Sequence, residues 1–496
     1  MTEVRSSGIL LHPTSLPGPD GIGTCGAEAF RFVDFLRQAG QSLWQVLPLG
    51  PPGCGNSPYS SFSAFAGNPM LIDLRQLVAD GDLPAAALQA FPDRSRIDFP
   101  QVVTYKENLF RQAAERFFAA ADRARLAEFW QFCDTTFWLH DYALFMALKA
   151  GHRGKGWTAW PEPLRRREPA ACAEATRKFG SDIGRHKYLQ WQFARQWRHL
   201  KGYANENGIR IIGDAPIFVA HDSVDVWCNQ HLFRLDEKGR PTVVAGVPPD
   251  YFSKTGQLWG NPLYNWDALA ADGYGWWLAR INNDLALCDI LRIDHFRGFE
   301  ACWEVPATEK TAIRGRWVKG PGLNFFEALR RSRGELPIVA EDLGIITPEV
   351  EVLREKTGFP GMLILQFAFD SGADNAYLPH NHSRNAVAYT GTHDNDTTLG
   401  WFAAQPPAMQ DRICDYLRCG RHEVGREMVR TALASVAKMA VVPLQDILEL
   451  DSSARMNVPG VAEGNWGWRV DADYAARAPA DELRRLAALY NRNGRQ

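Results

Sequence analysis

The sequence predicts an α/β fold, a (β/α)₈ TIM barrel with large, mostly helical insertions, the biggest of them between strands 2 and 3. Two observations lead to this prediction. Short apolar runs of strand length recur eight times along the 496 residues, and segments with helical spacing separate most of them. Strands that alternate with helices pair in parallel through right-handed crossovers, and eight such units close into a barrel.

The predicted strands and helices follow one another along the whole chain. The strands, each ending in polar or small residues, are predicted at 8–11, 43–49, 209–220, 287–296, 337–342, 362–369, 386–390 and 440–450. The helices between them are predicted at 27–39, 276–286, 324–331, 348–356 and 421–438, and an amphipathic helix is predicted at 480–490. This alternation is typical of repeated strand–helix units.

The spacing between the predicted strands is uneven. Strands 2 and 3 are separated by roughly 160 residues, which is far more than one crossover helix needs. Within this interval, 106–150 and 181–207 have helical patterns that are rich in aromatic residues. We therefore predict a single catalytic domain over 1–496 with two insertions, a mostly helical one at about 51–207 and an active-site loop region at about 222–272.

Composition and charge argue against several classes of protein. The chain is 46% hydrophobic and 23% charged, with a formal net charge of −2. This balance gives no electrostatic attraction for nucleic acid or an anionic membrane, and no apolar run reaches the roughly 18 residues of a membrane span. The nine cysteines form no C-x-x-C pair, which favours reduced thiols. Because no signal-peptide pattern precedes the first strand, we predict a cytoplasmic location.

Carboxylates end several of the predicted strands. Strand 3 runs into Asp214, strand 4 ends on Arg292 and Asp294, strand 5 ends on Glu341, and Asp394 follows strand 7. The catalytic groups of such barrels come from the carboxyl ends of the strands. One such acid is commonly a helix cap or an ion pair, but several acids on one rim repel each other and destabilise the fold unless function requires them. The sequence therefore predicts a functional site on this rim.

The pair Arg292 and Asp294 limits the reactions that this rim could catalyse. Two residues apart on a strand, their side chains point to the same side. The arginine would hold the carboxylate ionised, as a nucleophile requires, although a purely structural ion pair is the alternative. A cation beside Asp294 opposes a nearby dication, so we expect no metal and no other cofactor. Paired carboxylates suit acid–base chemistry on a glycosidic bond, with one acid ionised and the other protonated.

Ten motifs spread over nearly the whole chain carry a specific resemblance. They are GILLHPTSL at 8–16, QVLPL at 45–49, SPY at 57–59, SAFAGNP at 63–69, GDAPIFV at 213–219, GVPPDYF at 246–252, GQLWGNP at 256–262, RIDHFRG at 292–298, EDLG at 341–344 and THDND at 392–396. In this order they resemble the 4-α-glucanotransferases of the amylomaltase (disproportionating enzyme) type, relatives of the α-amylase barrel enzymes. The resemblance implies a barrel with helical insertions after strand 2.

The resemblance also implies roles for the acids on the rim. Asp294 matches the nucleophile that forms a covalent glucosyl-enzyme, and Glu341 matches the general acid and base. Asp394 matches the third acid, which binds ring hydroxyls and favours a flattened sugar. The implied reaction is retaining transfer of α-1,4-glucan segments to the 4-hydroxyl of an acceptor. The expected partners are α-1,4-glucans, maltooligosaccharides and glucose.

Further residues are expected to bind the substrate. Arg292 would fix Asp294, and the residues that match contacts to the sugar beside the broken bond are Tyr59, Asp214 and His393.

The loop 247–261 carries Tyr251, Phe252 and Trp259, with glycines for flexibility, and we predict a lid that stacks on acceptor rings and excludes water. The alternative is that these aromatic residues pack the insertion onto the barrel. Near the C-terminus, Asn465 is expected to touch the glucan, while Val458 stands where the family pattern has threonine.

Two functional alternatives stay open at this point. An α-glucan hydrolase would use the same acids, but the insertion motifs belong to the transferase branch. A catalytically dead glucan-binding barrel is the second alternative, and the three intact acids argue against it. The sequence does not distinguish a monomer from a homodimer.

Overall fold

Eight parallel strands form the central sheet of the protein. The structure, a computed structural model, describes residues 5–92, 94–249 and 253–494. Its strands are β1 (Ser6–Leu10), β2 (Leu43–Gln45), β3 (Arg210–Pro216), β4 (Val243–Val247), β5 (Gln257–Pro262), β6 (Ile290–Asp294), β7 (Ala301–Pro306), β8 (Arg316–Lys319), β9 (Ile338–Ala340), β10 (Gly361–Ile364), β11 (Ala386–Tyr389) and β12 (Met439–Pro443). The parallel sheet has the order β10-β11-β12-β1-β2-β3-β6-β9.

The two ends of this order meet, so the sheet is a nearly closed barrel. The backbone N–H of Ala340, at the end of β9, donates to the carbonyl of Pro360, just before β10, at 2.9 Å. Each of the eight predicted strands overlaps one strand of the barrel. The predicted (β/α)₈ barrel is therefore confirmed, although the predicted strands run several residues too far. The residues beyond the observed strand ends belong to the turns, short helices and loops that follow each strand.

Helices cover the outside of the barrel and fill the long insertion. Their bounds are α1 (Ala27–Gln38), α2 (Leu74–Ala79), α3 (Phe99–Ala120), α4 (Arg123–Thr135), α5 (Leu139–Gly151), α6 (Glu162–Arg165), α7 (Pro169–Lys178), α8 (Gly180–Glu206), α9 (Val224–Cys228), α10 (Trp266–Ala271), α11 (Gly275–Leu287), α12 (Leu323–Arg333), α13 (Pro348–Thr357), α14 (Thr398–Ala403), α15 (Pro407–Leu417), α16 (Val424–Ala434), α17 (Leu444–Ile447), α18 (Tyr474–Arg477) and α19 (Ala480–Leu489). In the described ranges, no helix is long and apolar enough to cross a membrane.

The interval between β2 and β3 holds the helices α2 to α8, which confirms the mostly helical insertion at this point. Asp82, almost fully buried, joins its parts: it accepts hydrogen bonds from Arg125 on α4 at 2.7 and 2.9 Å and from Tyr188 on α8 at 2.7 Å. The long helix α8 also contacts the barrel. Its Tyr203 hydroxyl donates to Asp34 of α1 at 2.7 Å. The insertion thus packs against the barrel helices.

A second, antiparallel sheet was not predicted from the sequence. Its order is β5-β4-β7-β8, and it lies beside the barrel mouth. The prediction made 222–272 a loop region, but β4 and β5 are strands there, and β5 covers the last third of the predicted lid. The strand β5 reads Gln-Leu-Trp-Gly-Asn-Pro, whose glycine, asparagine and proline are depleted in strands. Pairing with β4, which itself pairs with β7 more than 50 residues later, makes it a strand.

Apolar side chains from alternate strand positions fill the barrel interior. The interior cluster includes Leu10, Leu43, Ile212, Val339, Val387 and Val441, while neighbours such as Ile9 and Ile211 belong to the larger cluster between strands and helices. The strands are thus buried on both faces, as expected of a parallel barrel. Because this apolar core plugs the barrel, polar side chains at the carboxyl ends of the strands gather at its mouth.

Candidate active site

A broad cleft opens at the carboxyl ends of the barrel strands. It encloses about 1060 Å³ and is open to solvent. Sites for single small molecules typically measure about 300–1,000 Å³, so this cleft lies at the upper end of that range and has room for several sugar rings. The lining residues include Ser57, Tyr59, Phe218, Trp259, Asp294, His295, His393, Asp394, Asn457 and Trp466.

Arg292 joins two carboxylates at the ends of neighbouring strands. From the middle of β6, it donates to both oxygens of Asp214 on β3 at 2.7 and 2.6 Å, and to Asp294 at 2.9 Å. The side chains of Arg292 and Asp214 are almost fully buried, whereas that of Asp294 is 30% exposed. The arginine therefore anchors Asp294 from below and leaves part of its carboxylate open to the cleft.

Two rings complete the wall beside Asp214. The hydroxyl of Tyr59 donates to Asp214 at 2.7 Å, and burial together with Asp214 raises the pKa of Tyr59 well above its ordinary value. His393 stacks on Tyr59, with 5.0 Å between ring centroids and 15° between planes. Trp466 packs against both rings, at 5.8 and 6.0 Å. This arrangement offers flat apolar faces with polar edges, which suit a sugar ring.

Glu341, directly after β9, is held by two backbone N–H groups. His295 donates to Oε2 at 2.6 Å, and Leu343 donates to Oε1 at 2.9 Å. His295 directs its N–H at the carboxyl from a left-handed backbone conformation, φ 54°, that is uncommon for a non-glycine residue. Such strain persists where the surrounding structure enforces it, and it is frequent at functional sites. The same peptide thus links Asp294 to Glu341.

The pKa values of Asp294 and Glu341 are raised to different extents. Burial raises the pKa of Glu341 to about 8, and the charge of Asp294 adds to this shift. Burial also raises the pKa of Asp294 to about 6, although Arg292 opposes the shift. The expectation that Arg292 simply keeps Asp294 ionised is thus incomplete, because burial outweighs the arginine. The order still holds: near pH 7, Asp294 loses its proton before Glu341 does.

Asp394 lies across the cleft on the loop after β11. Its carboxylate accepts a 2.5 Å hydrogen bond from the amide of Asn457 and lies 3.5 Å from Nε2 of His393. Arg455 donates to its backbone carbonyl at 2.8 Å and to the carbonyl of Asn457 at 2.7 Å. About half of the Asp394 side chain is exposed. The loop 455–457 therefore orients an acid that stays accessible from the cleft.

The wall after β3 is held through its carbonyl groups. Arg280 on α11 donates to the carbonyl of Pro216 at 2.6 Å, and Tyr264 donates to that of Ile217 at 2.8 Å. Asn261 on β5 donates to the carbonyl of Val219 at 2.9 Å. These contacts fix the wall of the cleft against both α11 and the second sheet.

Of the three aromatic residues predicted to form the lid, the structure describes only Trp259. Trp259 lies on β5, is 38% exposed, and meets the ring of His295 edge to face at 4.7 Å between centroids. It therefore stands over the backbone that joins Asp294 to Glu341. Tyr251 and Phe252 lie outside the described residues, so the structure gives no account of them.

Asn465 holds its own loop together. Its amide accepts from the N–H of Val458 and donates to the carbonyl groups of Val458 and Val461, at 2.8 to 3.3 Å. It is not among the described residues that line the cleft, whereas its neighbour Trp466 is. A direct contact of Asn465 with glucan stays a prediction.

Comparison with known proteins identifies the family. The model of the 4-alpha-glucanotransferase family matches residues 11–474. The 4-alpha-glucanotransferase of Synechocystis sp. is 50% identical over 99% of both chains, and that of Thermus thermophilus is 51% identical over 94% of this chain and 95% of its own. The chain belongs to the 4-alpha-glucanotransferase family. It is an enzyme that transfers glucan segments, and the resemblance seen in the ten motifs is confirmed.

Solved structures agree with this assignment. The amylomaltase from Streptococcus agalactiae, solved in complex with acarbose, superposes with a TM-score of 0.95 at 39% identity over 98% of this chain and 99% of its own. The amylomaltase from Corynebacterium glutamicum superposes with a TM-score of 0.77 at 17% identity, over 99% of this chain and 75% of its own. This second match supports the fold alone.

Several groups of the 4-alpha-glucanotransferase site were missed in the sequence. The backbone N–H of His295 carries no side-chain signal, and its role follows from the left-handed turn. Asn457 stands beside Val458, the position that departs from the family pattern, and nothing in the sequence marks it as a partner of Asp394. Trp466 lies next to Asn465, and no sequence pattern distinguishes it as the residue that lines the cleft. In the described ranges, no cluster of three or more His, Cys, Asp or Glu side chains could hold a metal ion.

Proposed function

We propose that the enzyme moves segments of α-1,4-glucan from a donor to the 4-hydroxyl of an acceptor glucan or of glucose. In this mechanism Asp294 is the nucleophile and Glu341 is the general acid and base. One observation carries the proposal: the two carboxyls lie at the ends of the paired strands β6 and β9, and the N–H of the residue after Asp294 donates to Glu341 at 2.6 Å. Burial raises the pKa of Asp294 to about 6 and that of Glu341 to about 8. Near pH 7 that difference supplies one ionised and one protonated acid, as retaining cleavage of a glycosidic bond requires.

The first half-reaction breaks the donor. Asp294 attacks the anomeric carbon of the donor sugar while Glu341 gives its proton to the departing oxygen, which leaves as the 4-hydroxyl of the released fragment. The product is a covalent glucosyl-enzyme. The hydrogen bond from Arg292, at 2.9 Å, orients the carboxylate of Asp294. Asp394 and His393 would bind ring hydroxyls and favour the flattened, oxocarbenium-like sugar.

The second half-reaction transfers the bound segment. Glu341, now ionised, takes the proton from the 4-hydroxyl of an acceptor, and that oxygen attacks the anomeric carbon and releases Asp294. The configuration is inverted twice, so the net result is retention. Asp214, Tyr59 and His393 lie together where the first sugar would sit.

Transfer needs an acceptor sugar to outcompete water. Water is excluded when the acceptor side is covered and shaped to sugar rings. Trp259 supplies an aromatic ring beside His295 for this purpose, and we propose that Tyr251, Phe252 and Asn465 also contact glucan. A cytoplasmic location stays part of the proposal. It agrees with the cysteines at 25, 133, 172, 228, 288, 302, 414 and 419, which are all free.

The product ladder from maltotriose tests the proposal. A transferase releases glucose together with longer maltooligosaccharides, whereas a hydrolase gives only shorter products. We expect glucose and maltopentaose at early times, because transfer of a maltosyl unit from one maltotriose to another gives one molecule of each. A ladder that contains only glucose and maltose would instead support the hydrolase. The variant Glu341→Gln is the matched test of the mechanism, because unchanged product formation would remove Glu341 from the catalytic role.

A further inference from the structure

An exposed tryptophan stands outside the cleft, on the far edge of the second sheet. Trp317 lies on β8, the edge strand, and 41% of the residue is exposed. Its ring pairs across the ladder with Trp303 on β7, with centroids 5.3 Å apart. The indole N–H of Trp303 is itself bound to the carbonyl of Ala312 at 2.8 Å. The ring of Trp317 therefore has a fixed neighbour within the sheet.

A buried arginine supports the same ring. The guanidinium carbon of Arg297 lies 3.7 Å from the centroid of the Trp317 ring, and Arg297 is only 4% exposed. A guanidinium stacked on an indole face is attracted by the ring quadrupole. With this support and the contact to Trp303, the exposed part of the ring is presented to solvent as a preorganised surface. A preorganised aromatic ring loses little conformational entropy when it binds.

The support also connects Trp317 to both proposed catalytic carboxyls. Arg297 follows Asp294 by three residues, in the short helical turn after β6. Its guanidinium donates to the carbonyl of Ile345, which follows Glu341 by four residues. The side chain of Ile345 is exposed as well, at 42%. Trp317 and Ile345 thus flank one arginine beside the loop that carries Glu341.

The position of Trp317 beside the Glu341 loop points to the acceptor side of the cleft. A general acid protonates the departing oxygen, so Glu341 faces the leaving group and, in the second half-reaction, the acceptor. A chain that extends from the acceptor position past the Glu341 loop would approach Ile345 and Trp317. A glucose ring has apolar faces and a polar rim, which match an indole face with polar surroundings. Scattered apolar side chains on a surface need no explanation, but a ring stacked on a buried cation that follows Asp294 by three residues does.

We propose that Trp317, supported by Arg297 and flanked by Ile345, is an outer binding platform for the distal rings of a long acceptor α-1,4-glucan. The inference rests on the proposed function, because it uses Glu341 to define the acceptor side. It predicts a dependence on acceptor length. Glucose is too short to reach the platform from the point of transfer, whereas maltoheptaose is long enough.

The test compares two acceptors at a fixed concentration of amylose donor. Isotope-labelled glucose and labelled maltoheptaose are supplied to the wild type, Trp317→Ala, Trp317→Tyr and the control Trp130→Ala. Trp130 is a matched control because it is 52% exposed on α4 of the helical insertion. We expect Trp317→Ala to raise the KM for maltoheptaose about fivefold, the effect of one lost aromatic contact. The KM for glucose should stay unchanged, and Trp317→Tyr should restore most of the loss.

Two results would overturn the platform. One is an unchanged KM for maltoheptaose in Trp317→Ala. The other is an equal loss with glucose and maltoheptaose, which would mean that Trp317 acts only through the structure of the active site. A wild type that extends neither acceptor would instead refute the proposed function.

A measurement on the wild type covers the case in which the alanine variant does not fold. Hydroxyl-radical footprinting should show Trp317 protected by maltoheptaose and not by glucose, with Trp130 unaffected by either. If Trp317 is oxidised equally in the presence of maltoheptaose and of glucose, the proposed platform is also refuted.

Discussion

The backbone N–H of His295 donates a 2.6 Å hydrogen bond to Glu341, so the residue that follows Asp294 in sequence holds the second carboxyl in place. The position of the Glu341 carboxyl is therefore set by backbone groups, whereas the carboxylate of Asp294 is oriented by the side chain of Arg292. The left-handed conformation of His295 makes this contact possible. Positions held in this way support catalysis because they need little reorganisation during reaction.

The first prediction concerns the loss of the general acid. Glu341→Gln removes the proton donor while keeping a group of similar shape, so kcat/KM with maltotriose should fall about 10²- to 10⁴-fold. The measurement is the initial rate of glucose release. Glu335→Gln is the control, because Glu335 is exposed in the loop that precedes β9, whereas Glu341 follows β9 directly. Equal losses in the two variants would indicate a general effect on the fold.

The second prediction concerns the pH dependence of activity. The reaction needs Asp294 ionised and Glu341 protonated, and their pKa values are about 6 and about 8. We expect kcat/KM for maltotriose to be bell-shaped, falling below about pH 6 as Asp294 gains a proton and above about pH 8 as Glu341 loses one. Because the groups interact, the two limbs belong to the pair. In Asp294→Asn, any residual activity should lose the acidic limb.

The third prediction concerns stability against pH. A carboxyl whose pKa is raised on folding keeps its proton in the native state, while the unfolded chain releases it, so folding is disfavoured as pH rises from about 4.5 towards 8. Glu341→Gln removes this penalty. The variant should be more stable than wild type at pH 8, by roughly 4 kcal/mol, with the difference vanishing near pH 4. Urea unfolding at the two pH values measures it, and a stabilisation independent of pH would contradict the assignment.

The fourth prediction concerns the buried cation. Arg292→Met leaves Asp214 buried beside Asp294 without a counter-charge, and such a broken pair typically costs about 3–5 kcal/mol. The free energy of unfolding should fall by that amount, and activity should be lost. Arg485→Met is the control because its ion pair with Glu482 is exposed, so its effect should stay within about 1 kcal/mol. Similar losses in both variants would argue against the network.

The fifth prediction concerns the orientation of Asp394. Asn457→Ala removes the 2.5 Å hydrogen bond to its carboxylate, which is worth roughly 1.5–3 kcal/mol for a charged acceptor. We expect kcat to fall about tenfold or more. Ser453→Ala is the comparison, because its hydroxyl donates to Asp451 in the turn before this loop, at 2.6 Å. If Ser453→Ala lowers kcat as much as Asn457→Ala, loop order rather than the bond to Asp394 is responsible.

The sequence determined the barrel and the location of its acids. The strands are visible locally, because a strand buried on both faces must be a continuous apolar run. The insertion after β2 is visible because the interval between the predicted strands 2 and 3 is too long for one crossover helix. The positions of Asp214, Asp294, Glu341 and Asp394 follow from the rule that strand ends share one rim. The ten motifs then identified the family.

Tertiary structure decided the rest, because the deciding interactions join distant segments. The strand β5 exists through its pairing with β4, against its own composition. The bonds from Asn457 to Asp394 and from the His295 peptide to Glu341 depend on loops that meet only in the closed barrel. Burial, which raises the pKa of Glu341 to about 8, is a property of the packed rim and has no counterpart in the chain alone.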